Sequence, residues 1–178
     1  MCNKYCKILI FFTLFLIVSQ TYGQNEQREQ KVYLGLGMGL DYGGIFGGKI
    51  EYLPVKNFGV FGGIGYNLVS VGYNAGATFK ILPDKKVSPN LMIFYGYNGA
   101  NKVFGASEYD MISYGVTLGG NLDIIVNSLG HKISVGLFVP IRSNKFMNNY
   151  DDIKKDPRVT ITNDLLPIAI GVGYNFML

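Results

Sequence analysis

Five charged residues of this 178-residue chain stand where a charge is costly: Lys49, Glu51, Lys80, Asp123 and Arg142. Each falls in phase with Gly, Ser, Asn or Thr on the sparse side of a segment whose other side is Leu, Ile, Val, Tyr and Phe. A charge so placed must find an opposite partner or stay hydrated, so the set forms either an ion-pair plug or the lining of a selective polar path. Catalysis has less to draw on. His131 is the only histidine; it lies near Ser128 with no acid that can be assigned to orient its ring, and a solvated turn histidine is expected rather than a hydrolytic triad. Asp151, Asp152 and Asp156 cluster with Lys154 and Lys155 around Asn148, Asn149 and Tyr150. Their oxygens suit calcium, but the lysines oppose it and the spacing of a dedicated calcium loop is missing, so a solvated charged loop is expected. The glycines of Gly35, Gly37 and Gly39, or of Gly43 and Gly44, precede no helix and make no nucleotide cradle. No catalytic residue, metal or cofactor is expected.

The elements that must position the five charges read as β-strands. Residues 168–178 alternate without a break: Ile168, Ile170, Val172, Tyr174, Phe176 and Leu178 on one face, Ala169, Gly171, Gly173, Asn175 and Met177 on the other. The same dyad recurs over 31–40, 47–53, 58–67, 71–81, 112–126 and 132–142, and less cleanly over 90–98, where Met92 and Phe94 occupy the face that should be small. About eight strands result, most of them near the 9 to 11 residues that cross a bilayer. Short turns at 54–57, 83–89 and 127–131 are rich in Pro, Asn, Asp or Gly. The opposite connections, 41–46, 68–70, 99–111 and 143–167, include two long ones, as in outer-membrane barrels with short periplasmic turns and longer external loops.

The start of the chain sets an expected compartment. Lys4 and Lys7 begin it, residues 8–18 are apolar apart from Thr13, and Thr21-Tyr22-Gly23 precedes a cut at Gln24. Residues 1–23 read as a secretory signal peptide, 24–30 as a periplasmic leader and 31–178 as the barrel. Both cysteines, Cys2 and Cys6, leave with the signal, so no disulfide, cysteine metal site or thiol nucleophile is expected afterwards. A net charge of +4, two units of which are Lys4 and Lys7, is no nucleic-acid footprint.

Periodicity alone does not say which face is outside. Composition does: the second face is mostly Gly, Ser and Asn, whereas a water-facing sheet carries Lys, Glu and Thr. Turning the sheet inside out would crowd dozens of bulky side chains into a lumen just wide enough to be filled. The bulky face is therefore read as meeting the lipid bilayer of an outer membrane. Tyr52, Phe58, Phe79, Tyr174 and Phe176 are expected in one interfacial girdle, Tyr66, Tyr73, Tyr97 and Tyr114 in the other.

The segments Asp41-Tyr42-Gly43-Gly44, Glu51 through Phe61, Gly65-Tyr66-Asn67, Gly96-Tyr97-Asn98 and Phe138-Val139-Pro140-Ile141-Arg142-Ser143 resemble the small outer-membrane β-barrel proteins of Bacteroidota, as does a signal ending Tyr22-Gly23-Gln24. The resemblance covers essentially all of residues 24–178. It implies an eight-stranded, porin-like fold inserted by the barrel-assembly machinery, and it supplies no catalytic residues. The chain ends Phe176-Met177-Leu178 where such barrels often end in Phe.

The expected protein is all-β, an eight-stranded antiparallel up-and-down transmembrane β-barrel with a filled lumen. It is expected not to be an enzyme, and to serve the envelope structurally or to present its long loops to an external ligand or surface. The alternatives are a narrow pore or lumenal small-ligand carrier and, less well supported, a lipid hydrolase.

Overall fold

The computed structural model describes residues 30–103, 110–156 and 165–178. The expected signal peptide, residues 1–23, and residues 24–29 of the expected leader lie outside them, as do parts of the two long connections. Eight strands, β1 (Lys31–Gly39), β2 (Gly44–Val55), β3 (Phe58–Tyr66), β4 (Val71–Lys80), β5 (Val87–Asn101), β6 (Met111–Ile125), β7 (Lys132–Pro140) and β8 (Ala169–Met177), are joined in chain order. Each pairs antiparallel with its neighbours and β8 returns to β1, closing the barrel. One helix, α1 (Asn144–Lys155), follows β7. We call the end carrying Lys31 and Met177 the near rim and the opposite end the far rim.

Alternation decides the wall. Along β7, Lys132, Ser134, Gly136, Phe138 and Pro140 are buried while Ile133, Val135, Leu137 and Val139 are exposed. The result is an inside-out distribution. Among the described residues, 18 polar or charged side chains are buried against 11 hydrophobic ones, and the exposed large hydrophobics run round the outside of every strand. Every charged residue of the strands except Lys31, at the near rim, is buried in the lumen.

Three departures from the expected pattern occur at the far rim, wherever the chain leaves the period of two. Residues 41–46 are not an external loop: Leu40–Tyr42 form one turn of 3₁₀ helix tucked into the lumen, so Leu40, expected outside, is buried, and β2 begins at Gly44. Tyr97, expected in the outer girdle, turns inward at a bulge between Tyr97 and Gly99, where Gly96 has φ of +152°. A side chain at Gly96 would also collide with the Asn74 backbone, so that backbone position requires glycine. The connection from 143 to 167 contains α1, whose Ser143 N-cap hydroxyl accepts from the Phe146 amide at 3.3 Å. The 68–70 turn is as tight as expected, with the Asn67 side chain accepting from the Val69 and Ser70 amides.

Candidate functional site

Three of the charges expected from alternation, Glu51, Lys80 and Asp123, converge with Lys132 from four strands near the near rim. The ammonium of Lys132, first residue of β7, lies 2.5 Å from Glu51 Oε2 on β2 and 2.6 Å from Asp123 Oδ2 on β6; Lys80, last residue of β4, reaches the same Asp123 oxygen at 2.8 Å. The other oxygen, Asp123 Oδ1, accepts from Ser134 Oγ at 2.6 Å and from Asn121 Nδ2 at 3.0 Å. With four donors on its two oxygens, Asp123 has its acceptor capacity filled. Asn90 donates to Asn121, and Ser88 to Asn90, extending the net along β5 and β6. The Tyr33 ring faces the two lysines, with centroid distances of 4.3 Å to Lys132 and 5.7 Å to Lys80.

Two ammoniums and two carboxylates cancel, and each is almost wholly screened from water. Dehydrating such ions costs several kcal/mol apiece and is offset only by close, well-bonded geometry; here the contacts are short and no atom of the four is among the buried ones without a partner. A solute passing through would have to break it.

A second pair sits deeper. Lys49 meets Asp41 at 2.6 Å, with its ammonium over the Tyr42 ring at 4.3 Å and the Phe61 ring at 5.6 Å. Beside it runs an aromatic layer, Phe61 on Phe94 at 5.7 Å and Phe94 on Phe138 at 5.4 Å, both edge to face. Met92 and Phe94, which break the small-face rule in sequence, are therefore lumen filling, packed with Leu40 and Tyr97.

Four of the five expected lumenal charges are thus inside and paired, in two groups. Arg142 is not among them: it lies past the end of β7 at the far rim, half-buried, donating to the carbonyls of Asn98 and Leu166. Strand β7 ends at Pro140, so the alternation that placed Arg142 inward no longer operates. Two partners escaped the sequence reading. Lys132 was legible, two residues before Ser134 and in phase with it; Asp41 was not, because it reaches the lumen through the 3₁₀ turn.

At the far rim, α1 buries Phe146 and Ile153, with Phe146 against Gly99 of β5. Asn101 donates to Asn149 on the helix at 2.9 Å. Asp151 and Asp152 point to solvent and Asp156 caps the helix end, so the expected charged loop is largely a helix, with Asp152 near Lys155 at 3.9 Å. No three His, Cys, Asp or Glu side chains among the described residues gather to hold an ion. Between β5 and β6, hydrogen bonds from the Lys102 ammonium and the Val103 amide hold the Asp110 carboxyl below the usual carboxylate range.

His131 is not simply solvated. Its Nδ1 accepts from the Met177 amide at 3.0 Å, and its ring packs against Phe176 and Tyr174, tying the β6–β7 turn to β8. Among the described residues, seven buried side-chain atoms lack a hydrogen-bond partner: Asp41 Oδ1, Asn67 Nδ2, Asn74 Oδ1, Thr78 Oγ1, Asn98 Oδ1, Ser113 Oγ and Thr117 Oγ1.

With this geometry in hand, comparison with known proteins adds no neighbour: no protein-family model, no curated protein and no solved structure matches the chain.

Proposed function

We propose that this is an integral outer-membrane barrel of the small kind its sequence resembles, not an enzyme, whose lumen is a closed, charge-balanced plug. Its role is then structural, or is carried by the surface it presents at the far rim. One observation bears most of the weight: the strands carry bulky apolar side chains outward and every charge but Lys31 inward, the reverse of a water-soluble barrel. An apolar surface reaching round a whole barrel far exceeds the patches that soluble monomers tolerate. The outer tyrosines fit the same reading. Tyr66 and Tyr114 aim their hydroxyls at the Leu68 and Val71 carbonyls beside the far rim, and Tyr174 and Phe176 stack at the near rim.

Single cysteines at Leu118, Val135 and Ile170 test the placement in membrane fractions. They should resist an impermeant aqueous thiol reagent, and free reaction at all three would refute the reading. Conductance tests the plug: the refolded protein should be silent in a planar bilayer. A second reading, a narrow pore or lumenal carrier, draws on the unpartnered oxygens of Asn98, Ser113 and Thr117 in the far half. It requires stable ion steps, or a bound solute lost on Thr117→Val.

A further inference from the structure

Seven of the eight barrel junctions join strands that are consecutive in the chain; the eighth, β1 with β8, is made by strands from opposite ends of it. That junction spans six residue pairs, Tyr33–Met38 with Val172–Met177, against fourteen between β5 and β6. Half of its inward positions are glycine, Gly35 and Gly37 on β1 and Gly173 on β8; the others are Tyr33, Asn175 and Met177. Glycines there leave no side chain to pack across the seam, but they leave a groove.

The Tyr42 ring occupies that groove. A methyl group on Gly173 would overlap the ring and hydroxyl together; one on Gly37 would come within 2.7 Å of the ring and 2.6 Å of the Val172 carbonyl, and one on Gly35 within 3.2 Å of the ring but 2.3 Å of Asn175 Oδ1. The Tyr42 hydroxyl donates to Asn175 Oδ1 on β8 at 3.2 Å, a bond between residues 133 apart, and Asn175 in turn donates to Ser134 on β7. The other parts of the turn are held independently of β8. Lys49 binds Asp41 and covers the Tyr42 ring, and the Asn74 side chain on β4 donates to the Leu40 carbonyl at 2.5 Å. Tyr42 is fully buried.

We propose that the Leu40–Tyr42 turn is the latch of the barrel. It is set by β1, β2 and β4 and offers Tyr42 as the surface onto which β8 closes. The logic is entropic: β1 and β8 must meet across nearly the whole barrel sequence, and a receiving surface built from nearby residues helps offset that loop closure. Gly173 is then required for close approach of the ring, with Gly37 nearly as close to it, so both seam strands carry a glycine in phase with Tyr42. The latch does not rest on the membrane reading and stands or falls without it.

Hydrogen exchange of the refolded protein reads the seam directly. Tyr42→Ala should raise exchange of the amides directed across β1–β8 by about tenfold or more while leaving β3–β4 protected, and Tyr42→Phe, which keeps the ring, should stay within about threefold of the parent. With Cys2→Ser and Cys6→Ser in all variants, Met38→Cys with Val172→Cys places an outward disulfide across the seam, and Val60→Cys with Ala77→Cys places one across β3–β4. Only the first should restore seam protection to Tyr42→Ala. If Tyr42→Ala alone does not close, closure on oxidising the seam pair but not the control supports the latch equally. Unchanged exchange, a rise spread evenly over all strands, or rescue by both disulfides or by neither would overturn it.

Discussion

At the near end of the lumen every oxygen of Asp123 is engaged, whereas at the far end Asn98, Ser113 and Thr117 each keep a buried oxygen with no partner. None of the seven unpartnered atoms belongs to the Glu51, Lys80, Asp123 and Lys132 network. The near half is organised by charge and, Thr78 Oγ1 apart, satisfied; the far half is organised by shape, through Leu40, Tyr42, Tyr97 and the α1 contacts, and leaves most of the unmatched polar atoms. In a narrow tube these are two ways of filling space. They respond oppositely to the loss of a polar group.

The largest effect should come from breaking the near network. Lys132→Met leaves Glu51 without its lysine and Asp123 with Lys80 alone, and should lower stability by about 3–5 kcal/mol, read as a shift in denaturant midpoint in detergent. Next comes the isolated pair. Lys49→Met strands Asp41 and should cost about 3 kcal/mol, while the double change Lys49→Met with Asp41→Leu should cost less than the single one, since no buried charge is left alone. A double-mutant cycle without that recovery would mean the pair is held by something other than charge. Smaller still, Ser143→Ala removes the α1 cap and should cost about 1 kcal/mol, confined to helix α1 in exchange measurements. At the bottom of the scale, Thr117→Val deletes a hydroxyl that bonds to nothing and should change stability by about 0.5 kcal/mol or less, or raise it. A loss of 2 kcal/mol or more at Thr117 would erase the contrast between the halves.

The same division separates what the sequence revealed from what it hid. Wherever a strand kept its period of two, the residue's side was legible: Lys49, Glu51, Lys80 and Asp123 all lie inside, and Lys132 could have been added by phase with Ser134. Strand order and number were legible for the same reason. The misplaced residues are those past a break in that period. Leu40 and Asp41 follow β1 into a 3₁₀ turn, Tyr97 follows a bulge, and Arg142 follows the end of β7. The α1 segment, Asn144–Lys155, is rich in Asn, Asp and Lys and reads as loop because only Phe146 and Ile153 carry its buried face. His131 escaped because its partner is a backbone amide, which no side-chain pattern announces.

The unequal strand lengths give the barrel an overhang. Strands β5 and β6 are 15 residues each, and among the described residues the ladder to β4 stops at Gly96 and that to β7 at Thr117. Tyr97–Asn101 therefore run on as one side of a two-stranded extension, paired with Met111–Tyr114 and covered in part by α1 through the Asn101–Asn149 bond and Phe146 against Gly99. Because the ladders to β4 and β7 stop short of it, grafting or trimming at that extension would alter what the far rim presents while leaving the hoop of strands intact.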